Sequence, residues 1–322
     1  MTQFAIDRHL SQCATAGGIF SVLALDHRDN LVDDMSKARG RRVGAREVIA
    51  FKQAAIRHIG GAYSALLTDP DFGFPALVGS GIQADSGLLA PLEVTDYTAH
   101  PSRRKTVLIE NWGVDKIKRS GCSGAKLLLY YHPEAENAAA QTELVDRIAA
   151  QCRRHAVPLF LEPITYSLDP EVPLGSEELG QVVVEAVRHF SSRGVDVLKV
   201  QFPLHPSADE TSWAPALMRL NEACTVPWAL LSGGVSFDLF LKQAAAACRS
   251  GASGVIAGRA IWAEGMALQG DALDAFMRTT ARARMQVLTS MCELYGKPWH
   301  HHTGRPELDE NWYHTAPHSA VT

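Results

Sequence analysis

The sequence has no excess of positive charge, no paired cysteine motif and no long apolar run. Lysine and arginine number 31 against 35 aspartates and glutamates, a net charge of −4 over 322 residues. That balance excludes a broad basic surface for nucleic acid or an anionic membrane, so any phosphate contact must be local. The six cysteines, Cys13, Cys122, Cys152, Cys224, Cys248 and Cys292, are scattered with no CxxC spacing. Such usage fits reduced thiols in a cytoplasmic protein and not a disulfide scaffold. A membrane span needs about 18 apolar residues in a row, and none is present. The opening MTQFAIDRHLSQCATAGG lacks the basic and apolar blocks of a secretory signal. A cytoplasmic location is therefore expected. Zinc motifs such as HExxH are missing, and the neighbours His300, His301 and His302 are poorly spaced to converge on one ion. No metal and no cofactor is expected.

Short apolar runs alternate with longer helical patterns, and no low-complexity linker interrupts them. The runs are IFSVLALD (19–26), YSALLTD (63–69), GLLAPLE (87–93), AKLLLYY (125–131), VPLFLEP (157–163), VDVLKVQ (195–201), PWALLSG (227–233) and SGVIAGR (253–259). Continuous apolar strands suit a parallel sheet covered on both faces. KTVLIEN (105–111) reads as a short extra strand. Residues 137–156, 176–194 and 236–252 read as helices, the second with Ser176 and an acidic first turn as its start signal. Eight strand-then-helix units predict a single-domain α/β fold, a (β/α)8 barrel over residues 1–295. A doubly wound open sheet is the alternative. From Gly296 to Thr322 the chain turns polar, with histidine, proline and tryptophan. This tail is expected to wrap the barrel or a neighbouring subunit, or to be partly disordered. Apolar residues on the helical patterns and the tail's tryptophans point to a homo-oligomer.

Polar residues collect at the C-terminal ends of the expected strands: Asp26, Asp69, Glu93, Glu162, Lys199, Ser232 and Arg259. Active sites of this fold lie on that face. Lys199 interrupts VDVLKVQFP, where an unpaired ammonium would be costly to bury. Burial favours the neutral amine, which is a nucleophile for a ketone carbonyl. A structural salt bridge inside the barrel is the other reading. Glu162 at a strand end near a lysine suits proton transfer, or a counter-ion role. LLSGGVS and VIAGRAIW follow the seventh and eighth strands, where barrels often bind phosphate. Ser232, Gly233 and Gly234 let backbone N–H groups approach an anion, and Gly258-Arg259 adds a second glycine turn and a fork-shaped cation. Two ordinary glycine turns are the plainer alternative. Lys126, early in its strand, either adds positive charge beside Lys199 or forms a salt bridge lower down. Asp26 suits a substrate hydroxyl or one of the lysines. His27 and Arg28 are expected to meet the far end of a substrate, or to sit in a solvated loop.

Six segments in order, ALDHRDNL, AKLLLYYHPE, LEPITY, DVLKVQFP, LLSGGVS and AGRAIW, resemble the class I aldolases that include tagatose-1,6-bisphosphate aldolase and sulfofructosephosphate aldolase. The resemblance runs from about Phe20 to Met266. It implies a metal-independent (β/α)8 barrel that forms a Schiff base with dihydroxyacetone phosphate, and a phosphorylated or sulfonated ketose as substrate. By the same resemblance Lys199 is the Schiff-base residue and Glu162 the proton shuttle. Asp26 and Lys126 become active-site contacts, and Ser232, Gly233, Gly258 and Arg259 the phosphate grip. The chain departs from the family at His27, where a glutamine is usual, so the distal group it recognises is open. Two other readings keep the same pocket: a sugar-phosphate lyase or isomerase without a covalent intermediate, and a sugar-phosphate-binding regulator.

Overall fold

The computed structural model describes residues 2–81, 85–94, 99–303 and 309–315. Eight parallel strands close into a barrel: β1 (Phe20–Leu25), β2 (Ala65–Thr68), β3 (Gly87–Pro91), β4 (Gly124–Tyr130), β5 (Leu159–Ile164), β6 (Val197–Val200), β7 (Trp228–Leu231) and β8 (Gly254–Ala257). Each pairs with its successor, and β8 returns to β1 in register from Phe20↔Gly254 to Leu23↔Ala257. This closure decides for the (β/α)8 barrel over the open sheet. Every strand falls within or against one of the eight apolar runs. The KTVLIEN run supplies Val107–Leu108, which pairs antiparallel with Glu93–Val94 beside the barrel.

The expected helices form at Ala138–His155, Ser176–Ser191 and Phe237–Arg249. Ser236 caps the last by accepting a hydrogen bond from the Leu239 N–H at 3.4 Å. The second opens at Ser176 as expected, with Gly175 in the cap position. Glu177 and Glu178 in that first turn favour the positive end of the helix dipole.

Side chains alternate across each strand, and this places the chemistry. Ala24, Phe160, Val197, Ala229 and Ile256 point into the barrel, in one buried apolar cluster with Phe20 and Leu89. Leu25, Leu161, Leu198, Leu230 and Val255 point outward into the larger core beneath the helices. Two residues after three of these inward side chains the chain turns polar: Asp26, Glu162 and Lys199 sit one layer above Ala24, Phe160 and Val197. Gly124 makes the lower layer fit. A Cβ there would lie 2.6 Å from Leu89 Cδ2 and 3.0 Å from Phe160 Cε2.

The opposite end of the barrel is covered by helix Thr2–Cys13, whose Ile6, Leu10 and Cys13 join the inner cluster. Trp299 packs there too, and its backbone N–H donates to the Gly18 carbonyl at 2.9 Å. The first part of the polar tail thus lies against the barrel's N-terminal face. Further along, the Trp312 ring meets Phe4 at 5.9 Å. Tail residues 304–308 and 316–322 lie outside the described residues.

A buried ion pair braces the C-terminal face. Lys52, on helix Ala45–Ile59, is fully buried and pairs with Asp69 just after β2. Its ammonium also donates to the Leu25 and His27 carbonyls at 2.7 and 2.8 Å. Asp69 accepts from the Phe72 N–H at 2.8 Å through its other oxygen. Lys52→Met leaves the Asp69 carboxylate buried without its cation. The expected loss is about 3–5 kcal/mol of unfolding free energy, read from urea denaturation. Lys52→Met with Asp69→Leu should recover part of that loss.

Candidate active site

A cavity of about 300 Å³ opens on the C-terminal face of the barrel. Lys199 and Glu162 line its floor, and His27, Ser232, Gly233, Gly258 and Arg259 line one side. Tyr130, Thr165 and Gln201 line the other side and were not singled out in the sequence.

Lys199 Nζ lies 2.8 Å from Glu162 Oε1, with both side chains less than a tenth exposed. The other oxygen, Oε2, lies 3.0 Å from Lys126 Nζ, in an ion pair that is not aligned as a hydrogen bond. Lys126 points into the barrel from β4, and donates to Glu93 Oε1 at 2.6 Å and Asp26 Oδ2 at 3.0 Å. It is therefore a cation surrounded by three carboxylates, and not an uncompensated charge beside Lys199. Burial pulls the Lys126 pKa down, but Asp26, Glu162 and Glu93 outweigh it and raise the value well above that of an ordinary lysine. Burial likewise pushes the Asp26 carboxyl up, and the two lysines overcome it and hold Asp26 below the usual carboxylate range. Glu93 goes the other way: burial dominates and raises it, although Lys126 opposes. Its second oxygen accepts from the Leu128 N–H at 3.1 Å, so Glu93 is fixed by both the side chain and the backbone of β4.

The turns after β7 and β8 meet at the cavity's edge. Ser232 Oγ accepts from the Gly258 N–H at 3.3 Å and joins the two turns. Gly233 and Gly234 have φ of 56° and 79°, left-handed values that a side chain resists. The Arg259 guanidinium lies over Gly234, where a Cβ would stand 3.2 Å from Cζ. Helix Phe237–Arg249 begins immediately afterwards. Backbone donors, a helix start and a guanidinium converge here, an arrangement suited to phosphate oxygens.

His27 packs edge-on against Trp262 at 5.1 Å, on the same side of the cavity as Gly258 and Arg259. Burial, assisted by Arg259, Lys199 and Lys52, pushes its pKa down to about 3 against the opposing pull of Asp26. The imidazole is neutral at pH 7. Arg28 does not line the cavity. Its guanidinium donates to the Glu93 carbonyl and lies 3.6 Å from Asp71. The seven polar strand ends therefore divide. Asp69 braces the fold, Asp26 and Glu93 hold Lys126, and Glu162, Lys199, Ser232 and Arg259 face the cavity. Among the described residues, no group of three His, Cys, Asp or Glu side chains could hold a metal ion. No helix among them is long and apolar enough to cross a membrane.

The model of the DeoC/LacD family aldolases matches residues 20–264, a span that includes all eight strands and this cavity. The chain belongs to that family. It is an aldolase, a carbon–carbon lyase. Tagatose 1,6-diphosphate aldolase of Listeria monocytogenes serotype 4a (strain HCC23) is 31% identical over 316 residues, covering 90% of this chain and 92% of the relative. Tagatose 1,6-diphosphate aldolase 1 of Enterococcus faecalis is 31% identical over 308 residues, covering 88% and 93%. Among solved structures, an archaeal fructose-1,6-bisphosphate aldolase with its catalytic lysine covalently bound to the substrate's carbinolamine intermediate covers 88% of this chain and 99% of its own. Its TM-score is 0.61 at 17% identity. Fructose-bisphosphate aldolase of Plasmodium falciparum reaches 0.69 at 12% identity, covering 92% and 96%. At such identities these two likenesses are of fold.

The His27 imidazole gives this aldolase a defined acid response. Its folded pKa of about 3 lies below the ordinary value of 6.5, so the unfolded chain binds more protons between those values. Stability then falls as pH drops from 6.5 towards 3. His27→Asn should lose less unfolding free energy over that window than the parent, measured as urea midpoints at pH 7 and pH 5.

Proposed function

We propose that the protein catalyses reversible retro-aldol cleavage of a ketose 1-phosphate, a ketohexose bisphosphate or a sulfo-sugar phosphate. The products are dihydroxyacetone phosphate and an aldehyde, and Lys199 is the Schiff-base residue. One observation carries this reading. An amine and a carboxylate stand 2.8 Å apart on the floor of a cavity whose edge carries glycine turns and an arginine. That spacing suits an amine that attacks and a partner that moves protons.

Phosphate enters against Ser232, Gly233, Gly258 and Arg259, which brings the C2 ketone over β6. Lys199 passes a proton to Glu162, and the free amine adds to C2. The carbinolamine takes a proton back on its oxygen and loses water, leaving an iminium. Glu162 then accepts the C4 hydroxyl proton, and the C3–C4 electrons move into the iminium as the aldehyde forms. The resulting enamine is protonated at C3, and water hydrolyses the iminium to release dihydroxyacetone phosphate and restore the amine. Lys126 stays charged throughout and keeps Glu162 in place without joining the proton traffic. Asp26 contributes through the same cation, and His27 lends a neutral ring to the phosphate side.

We also take the enzyme to be a cytoplasmic homo-oligomer. Val287, Leu294 and Tyr295 stand exposed on helix Arg282–Tyr295 and support that reading. Sedimentation at micromolar concentration is expected to give more than one subunit.

Incubation with dihydroxyacetone phosphate and borohydride, followed by peptide mapping, tests the central claim. A stable adduct is expected on the peptide carrying Lys199, and none in Lys199→Ala, which should also lose cleavage. Cleavage retained in Lys199→Ala would sink the Schiff-base reading. Glu162→Gln should still trap the adduct while its kcat falls by about 10²–10⁴-fold.

A further inference from the structure

The proposed reaction leaves two polar residues of the cavity wall without a role, Thr165 and Gln201. Gln201 lies just beyond β6, two residues after Lys199. By the strand's period of two it continues the face that carries the amine, one layer nearer the cavity mouth. Thr165 lies just beyond β5, three residues after Glu162.

The two are tied to each other. The Thr165 backbone N–H donates to Gln201 Oε1 at 2.9 Å. That bond fixes the amide, because its oxygen end faces a donor and its N–H2 end is the half left to donate. Thr165 is only 8% exposed, and its Oγ1 is buried with no hydrogen-bond partner. A buried hydroxyl left unpaired is costly, and a ligand hydroxyl would satisfy it. A χ1 step exchanges the threonine methyl and hydroxyl in nearly the same space, so Oγ1 can turn to a ligand without repacking its neighbours. The wall around the pair is apolar, built from Leu128, Ile164 and Leu231. A hydroxyl that gives and accepts thus stands beside an amide that gives, in an apolar surround. Such a pattern picks out one hydroxyl group.

In the proposed reaction the phosphate lies at the turns after β7 and β8, C2 lies over β6, and the C4 hydroxyl meets Glu162 on β5. The next carbon, C5, then comes up between the ends of β5 and β6. We propose that Thr165 and Gln201 bind the hydroxyl on C5, which leaves beside the carbonyl of the aldehyde product, and that they make the enzyme prefer 2-hydroxyaldehydes. The substrate hydroxyl donates to Thr165 Oγ1 and accepts from the Gln201 N–H2. The proposal rests on Lys199 being the covalent centre. The contact is present before and after the C3–C4 bond breaks, so it acts on binding more than on the chemical step.

Condensation of dihydroxyacetone phosphate with two acceptors tests this in the parent, Thr165→Val, Gln201→Met and the double variant. One acceptor is a 2-hydroxypropanal with phosphate or sulfonate on C3, whichever the parent takes faster. The other is its 2-deoxy counterpart. The readout is the ratio of kcat/KM between them. In Thr165→Val the ratio should fall about tenfold or more, chiefly through KM for the hydroxylated acceptor. Gln201→Met should lower it too, and the double variant should lose less than the two single losses combined, since both residues serve one hydroxyl. The urea midpoint of Thr165→Val should equal or exceed the parent's, because the change removes an unpaired hydroxyl at constant shape. A ratio unchanged in both single variants, or an equal loss on both acceptors, would overturn the proposal. The borohydride adduct at Lys199 separates the two failures. If the adduct forms while the ratio does not move, the hydroxyl site is wrong and the Schiff base stands. If the parent forms no adduct and joins neither acceptor, both fall.

Discussion

The ammonium of Lys126 holds the active face together. It rises from β4 and meets Asp26 beyond β1, Glu93 beyond β3 and Glu162 on β5. Four segments of the barrel rim are thereby tied to one charge. An ammonium taken out of water loses its hydration, so this arrangement is tenable only with carboxylates packed around it. The carboxylates in turn are tenable only with the lysine. Glu162 is the member that belongs to two groups, since its other oxygen faces Lys199. The orientation of the carboxylate that faces Lys199 is thus set from behind, by a residue that does not line the cavity. Lys52 and Asp69 repeat the device one element away, clamping the carbonyls on either side of Asp26.

Much of this was legible before any coordinates. A strand's period of two assigns a side to every residue, so polar positions two steps beyond an inward apolar residue had to crowd together at one end of a closed sheet. Asp26, Glu162 and Lys199 follow from that rule alone. The same rule says nothing about partners. It could not tell that Lys126 would take three carboxylates, that Asp69 would turn from the cavity towards Lys52, or that Glu93 would bind backbone as well as side chain. Long side chains reach across several positions, and their destinations depend on neighbours remote in sequence.

Loops were the least legible part. His27 and Arg28 are adjacent, yet one lines the cavity against Trp262 and the other turns behind it to Glu93 and Asp71. Closure of the barrel was likewise beyond a pattern of alternating elements, because an open sheet alternates in the same way. It needed the pairing of β8 with β1.

The missing Cβ at Gly124 reaches further than packing. Phe160 leans into the space that Gly124 leaves, and on the same strand Glu162 stands one layer above Phe160. The depth of the Glu162 carboxylate is therefore adjusted from the storey below it. A larger residue at position 124 would press on the phenyl ring of Phe160, and through β5 would move the Glu162 carboxylate relative to an untouched Lys199. Reach and reactivity in this pocket can drift through a position that no substrate ever meets.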